Sequence, residues 1–269
     1  MTCPSALDYS NAIQNPQLNF RDSELKAGQP ECTALGLPRP ISGNFATVFQ
    51  LHCPNRDWAV RCFTRELNHQ QARYAVIQHH LEMVNLPYMV PFEFLPKGIR
   101  IYGRWYPILK MQWLEGQLLH HFLAQHLQQA DRVRQLARQW LALIQTLEQA
   151  NIAHGDLQHG NILLVNDEIK LVDYDNLFVP ALAGQLSREL GHSHYQHPAR
   201  NQHDFGSHMD RFSAWLILIS IMVVILDPSL WVACAAGDDA LLLRQEDMLH
   251  IQSSETFALL RHHHQVLLR

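Results

Sequence analysis

The stretch that most restricts what this chain can fold into runs from His154 to Asp175. It reads His-Gly-Asp-Leu-Gln-His-Gly-Asn, then two short apolar runs, then Asp-Tyr-Asp. The runs Ile162-Leu163-Leu164-Val165 and Ile169-Lys170-Leu171-Val172 predict two strands joined by Asn166, Asp167 and Glu168. A hairpin of that kind returns Asp173 to the side of Asn161, so two carboxylates and an amide are spaced as a site for Mg-bound triphosphate would need them. Phosphoryl transfer asks little covalent work of a protein: an acceptor hydroxyl must be oriented and charge on the transferred group neutralised. Asp and Asn also punctuate ordinary loops, so the rest of the chain has to decide.

The stretch resembles the catalytic loop of the protein-kinase-like superfamily, in a divergent, bacterial-type Ser/Thr form. There an Asp and, five positions on, an Asn are followed by an Asp-Phe-Gly metal-binding turn. Asp156 and Asn161 have that separation here, and Asp173 begins the later turn. The resemblance implies an α+β, two-lobed fold with a small β-rich N-lobe and a larger helical C-lobe. It implies ATP and Mg as cofactors, Asp156 as the catalytic residue facing the acceptor, and Asn161 and Asp173 as metal ligands. The expected division is an extension over residues 1–24, an N-lobe over 25–114 and a compact C-lobe over 115–269. The extension, with Pro4 and Pro16, is expected either to pack on the small lobe or to be mobile.

Upstream, Ser42-Gly43-Asn44-Phe45-Ala46-Thr47-Val48 resembles a worn glycine-rich loop. Gly43 alone remains of three glycines, with Ile41 and Ala46 in the other two positions, while Phe45 and Val48 fit. Glycine matters there because backbone N–H groups must approach phosphate closely. Trp58-Ala59-Val60-Arg61 then stands where the family has Val-Ala-Ile-Lys, which puts Ala59 and Arg61 among the nucleotide contacts. Arginine is a planar fork and lysine a compact ammonium, so their reach differs. A helix over about 67–84 has an inward face of Tyr74, Ile77, Leu81 and Val84. The family's partner glutamate falls at Ile77 or Gln78, with Glu66 and Glu82 about a turn or more away, so the usual ion pair is not expected.

Tyr106 to Leu114 resembles the strand entering the interlobe hinge, which implies Met111 as gatekeeper and Gln112 to Leu114 as backbone contacts for adenine. Val133, Leu136, Trp140, Leu143, Ile144 and Leu147 form a helical core stripe behind Asp131, an expected N-terminal cap. Gly191 to Ala199 resembles the end of an activation segment, with Ala199 in place of the family's glutamate. Asp210-Arg211-Phe212-Ser213-Ala214-Trp215 resembles the start of the central helix, whose Asp braces the catalytic loop. Phe212 to Leu226 is almost wholly apolar, yet shorter than the roughly eighteen residues a membrane span needs. A buried central helix is therefore expected there, and a further helical pattern over Asp238 to Leu260.

A chain of 269 residues that is 47% hydrophobic and 17% charged can build a sizeable core and is too apolar for disorder. A net charge of -4 gives no footprint for nucleic acid or a membrane surface. Five cysteines without close spacing read as reduced thiols of a cytoplasmic protein. The 18 histidines, including His79-His80, His120-His121 and His262-His263-His264, lack a ligand spacing and imply no metal besides the nucleotide's Mg. Three function readings follow. The intact trio suits an ATP-dependent protein Ser/Thr kinase acting on a protein substrate or signalling partner. Arg61, the absent helix glutamate and the depleted glycine loop suit a pseudokinase scaffold. Gly155 before Asp156, and Gln158 where protein kinases usually carry Lys, suit a small-molecule phosphotransferase. The missing Arg before Asp156 also disfavours switching by phosphate on Ser187, Ser193 or Tyr195.

Overall fold

The computed structural model describes residues 3–42, 46–65 and 70–267. The chain forms two compact units, Met1–Asn85 with Val90–Glu115, and Leu86–Met89 with Gly116–Arg269.

The first unit opens with three short helices, α1 (Ala6–Ile13), α2 (Pro16–Asn19) and α3 (Ser23–Lys26), followed by strands β1 (Gln29–Pro30), β2 (Ile41–Ser42), β3 (Ala46–His52) and β4 (Asp57–Phe63). Helix α4 (Gln70–Val84) and strands β5 (Phe92–Ile101) and β6 (Arg104–Gln112) complete it. The sheet is antiparallel, in the order β1-β3-β4-β6-β5 with β2 also on β3. Side chains alternate across a strand, which gives this sheet two distinct faces. One carries Phe49, Leu51, Val60, Cys62 and Ile108, and it packs against Tyr9, Ala12, Ile13, Phe20 and Leu25 from the N-terminal helices in a single core. Residues 9–20 thus pack against the sheet, and α1 is held by a Ser5–Asp8 capping box. On the opposite face, Tyr74 and Ile77 of α4 are buried, and the Tyr74 ring stacks on Phe94 at 5.3 Å between centroids. The helix start expected near Leu67 lies outside the described residues.

The second unit contains β7 (Gln117–Leu118), α5 (Leu119–Gln125), α6 (Ala130–Gln149), β8 (Ile162–Val165), β9 (Glu168–Leu171), α7 (Arg211–Leu226), α8 (Ser229–Ala233), α9 (Gln245–Leu249) and α10 (Glu255–Leu267). Helix α6 buries Val133, Leu136, Trp140, Leu143 and Leu147, and the Trp140 indole donates to the Ala214 carbonyl of α7 at 3.0 Å. Two expectations need correction. Asp131 lies inside the first turn of α6, where its charge suits the helix dipole, and Gln129 is the N-cap. The apolar run of α7 is not buried all round: Ser213, Ala214, Leu216, Ile217, Ser220, Ile221 and Val224 face inward, whereas Trp215, Ile219, Met222 and Leu226 are exposed. Every residue of the run is apolar or small, so the sequence could not show which side packs. The pattern over Asp238 to Leu260 resolves into α9 and the start of α10, with a non-helical approach before them.

Candidate active site

The β8–β9 hairpin turns through Asn166 and Asp167, both left-handed at φ 51° and 65°. That is the conformation a two-residue hairpin turn favours, and Asn and Asp tolerate it. The register pairs Ile162 with Leu171, and the Val172 N–H donates to the Asn161 carbonyl at 3.0 Å. Asn161 and Asp173 therefore flank the open end of one hairpin. Asp173 is itself left-handed at φ 67°, and the chain turns there into Tyr174, whose buried hydroxyl donates to the Leu171 carbonyl at 2.7 Å.

Asp156 is placed from below by Asp210. The buried carboxylate of Asp210 accepts the Gly155 N–H at 2.8 Å and also the His154 N–H. Burial pushes the Asp210 carboxyl upward, and these two hydrogen bonds oppose it. Gly155 sits at φ 81°, and a Cβ there would meet the Asn176 carbonyl oxygen at 2.5 Å. Glycine at this position is thus required by backbone geometry. Asn161 is buried; its Nδ2 donates to the Asp156 carbonyl at 2.9 Å and to Asp156 Oδ2 at 3.1 Å. With its amide nitrogen so committed, the Asn161 Oδ1 is the atom left to meet a cation. An amide oxygen and the Asp173 carboxylate are hard oxygen donors of the kind Mg favours, and Mg normally adds waters and phosphate oxygens to one or two carboxylates. The residues present therefore fit that ion. Among the described residues no three His, Cys, Asp or Glu side chains are grouped to hold a metal ion.

Several contacts around this site were not expected from the sequence. Asn176 donates to the Gly155 carbonyl at 3.1 Å and to the Glu189 carbonyl at 2.8 Å, and it accepts from the buried Ser187 hydroxyl at 3.0 Å. The His192 N–H donates to Asp156 Oδ1 at 2.7 Å. Tyr195 accepts the Leu241 N–H at 2.9 Å, and its hydroxyl shares a second hydrogen bond with His159 Nδ1, 2.5 Å away. Burial, with His120 and His192 nearby, pushes His159 down to about 4. Ser187 and Tyr195 are both buried, which keeps two of the three hydroxyls considered for phosphorylation from solvent.

In the first unit, β4 pairs Arg61 with Val48 on one side and Leu109 on the other, and Ala59 with Met111. Directly opposed residues share a face, so Val48, Ala59, Arg61 and Met111 occupy one side of the sheet, opposite the N-terminal helices. Gln112 and Leu114 follow at the end of β6. Gly43, Phe45 and Glu66 lie outside the described residues. Ile77 is buried, and Gln78 spends its side chain on the Phe94 N–H at 3.2 Å and on Glu82 at 2.9 Å. Neither position supplies a carboxylate.

No family model matches this chain, and no curated protein matches it. Among solved structures it is similar to the Cydia pomonella granulovirus kinase PK-1, with a TM-score of 0.55 and 13% identity over 88% of this chain and 79% of that one. Identity that low speaks for the fold alone, and the fold is kinase-like: an antiparallel sheet unit followed by a largely helical one. No helix among the described residues is long and apolar enough to cross a membrane.

Proposed function

We propose that this chain is an ATP- and Mg-dependent phosphotransferase that acts on a Ser/Thr hydroxyl of a protein, in the cytoplasm. The observation that supports this reading most is the Asn161 amide clamped on both the main chain and the carboxylate of Asp156, next to the hairpin end that returns Asp173. A bound Mg would supply charge neutralisation on the phosphates, held by Asn161 and Asp173. Asp156 orients the acceptor hydroxyl and takes its proton. Val48, Ala59, Arg61 and Met111, with the backbone of Gln112 to Leu114, are assigned to the nucleotide, and Gly43 and Phe45 to its phosphates. The lack of close spacing among the five cysteines accords with a reducing compartment.

The test is purified protein with labelled ATP and Mg, scored for self-labelling and for labelling of a generic basic protein. Millimolar Mg-ATP should raise the melting temperature by mass action, and Asp173→Ala should abolish the metal-dependent part. A second reading, a nucleotide- or partner-binding pseudokinase, draws on Arg61 in place of lysine and on the absence of a carboxylate at Ile77 and Gln78. Binding without transfer would select it, and no shift with no heat by calorimetry would remove the nucleotide from both.

A further inference from the structure

Asp156 receives one hydrogen bond that neither the catalytic loop nor α7 provides. Its Oδ1 accepts the backbone N–H of His192 at 2.7 Å, from a segment 36 residues downstream. Gly191 makes that approach possible: it sits at φ 77°, and a Cβ there would lie 2.8 Å from Asp156 Oδ1 and 2.9 Å from the Gly155 carbonyl oxygen. Such contacts are too close for any residue but glycine.

The segment is pinned on both sides of this amide. Upstream, Asn176 holds the Glu189 carbonyl at 2.8 Å and Ser187 at 3.0 Å. Downstream, the His194 Nε2–H donates to Asp239 at 2.7 Å while its Nδ1 accepts the Gln245 N–H at 3.1 Å. Tyr195 adds its bonds to His159 and Leu241. An N–H held this firmly presents a fixed dipole, and groups fixed before reaction need no reorganisation during it.

We propose that the His192 backbone amide is a positioning group for the proposed transfer, fixing the rotation of the Asp156 carboxylate so that its remaining lone pairs meet the acceptor hydroxyl. This rests on the phosphoryl-transfer reading. An ionised carboxylate offers about four acceptor positions. His192 and Asn161 occupy one on each oxygen, which leaves acceptor sites open on a group that can no longer turn.

Because His192 has φ -69°, proline fits its backbone angle and removes only the N–H from the main chain. His192→Ala, which loses the same imidazole and keeps the N–H, is the reference. In the full chain, kcat for His192→Pro should fall about tenfold to a hundredfold below His192→Ala, as a slight misplacement of a reacting group does, with KM for ATP equal in the two. Equal kcat would overturn the proposal. If His192→Pro fails to fold by thermal unfolding, Tyr195→Phe, which loosens the anchor and leaves the amide in place, should lower kcat with KM for ATP unchanged; an unchanged kcat there would also overturn it. An independent readout is the His192 amide proton resonance, which should move upfield in Asp156→Ala. A resonance that stays put overturns the proposal. Should wild type transfer no phosphate at all, the phosphotransferase reading fails by itself, and the resonance alone decides whether His192 holds Asp156.

Discussion

The side-chain amide of Asn161 bonds Asp156 twice, at 2.9 Å to its carbonyl oxygen and at 3.1 Å to its carboxylate. One residue thereby fixes both the main chain and the side chain of another, five positions earlier.

That arrangement separates the effects of two substitutions. Asp156→Asn should leave Mg-ATP affinity nearly unchanged and cut transfer by about a hundredfold to ten-thousandfold, the usual contribution of a general base. Asn161→Ala should weaken the Mg-dependent part of ATP binding and lower transfer as well. Calorimetry with and without Mg, beside single-turnover transfer, checks both. Equal transfer by wild type and Asp156→Asn would assign the activity to a contaminant.

Arg61 shares a sheet face with Val48, Ala59 and Met111. As a phosphate contact, Arg61→Lys should retain or improve ATP binding and turnover, and Arg61→Ala should weaken both. If Arg61→Ala instead lowers the melting temperature and leaves ATP affinity alone, Arg61 is structural.

Lys110 lies on the other face, where its side chain is 5% exposed, 2.7 Å from Glu24 and 3.1 Å from Asp22, over the Trp58 ring at 4.3 Å. Burial alone would lower its pKa, but the hydrogen bonds to Glu24 and Asp22 outweigh this and hold it above 10.5. Lys110→Met keeps the apolar stem and strands two acidic groups. It should lower stability by about 1–3 kcal/mol, less than for a wholly buried pair because both acids retain water. Urea unfolding measures this. While Asp22 and Glu24 stay ionised, a raised folded-state pKa means the contribution is present below pH 10.5 and is lost as pH rises through the higher folded-state value.

How much of this the sequence carried depended on distance along the chain. The Asp156, Asn161 and Asp173 arrangement was legible because five residues and one hairpin set it, and strand period and turn chemistry are local. The face shared by Ala59 and Met111 comes from strand register, which the sequence did not show. Lys110 meeting Asp22 and Glu24 was not legible either, since no local pattern joins positions 88 and 86 residues apart. Likewise the helices over 1–24 are too short for their apolar residues to show a period, although those residues fill one side of the sheet. The His192 contact escaped because it runs through the main chain, and its one sequence signal was the glycine at 191.

The buried His159 should make folding sensitive to acid. Its ring, packed edge-on against His120 at 4.6 Å between centroids, shares a hydrogen bond between Nδ1 and the Tyr195 hydroxyl, and in the neutral tautomer that carries its proton on Nε2 the Nδ1 is the acceptor. Burial first, then the neighbouring His120 and His192, lower its pKa from 6.5 to about 4. The folded state therefore binds fewer protons than the unfolded state between those values. The contribution is complete above pH 6.5 and is lost progressively as pH falls toward 4. Unfolding midpoints between about pH 7 and 4.5 should fall for wild type. His159→Asn offers Tyr195 an acceptor that cannot take a proton, so its midpoints should fall less steeply. Parallel slopes for the two proteins would mean that His159 is not the group that titrates.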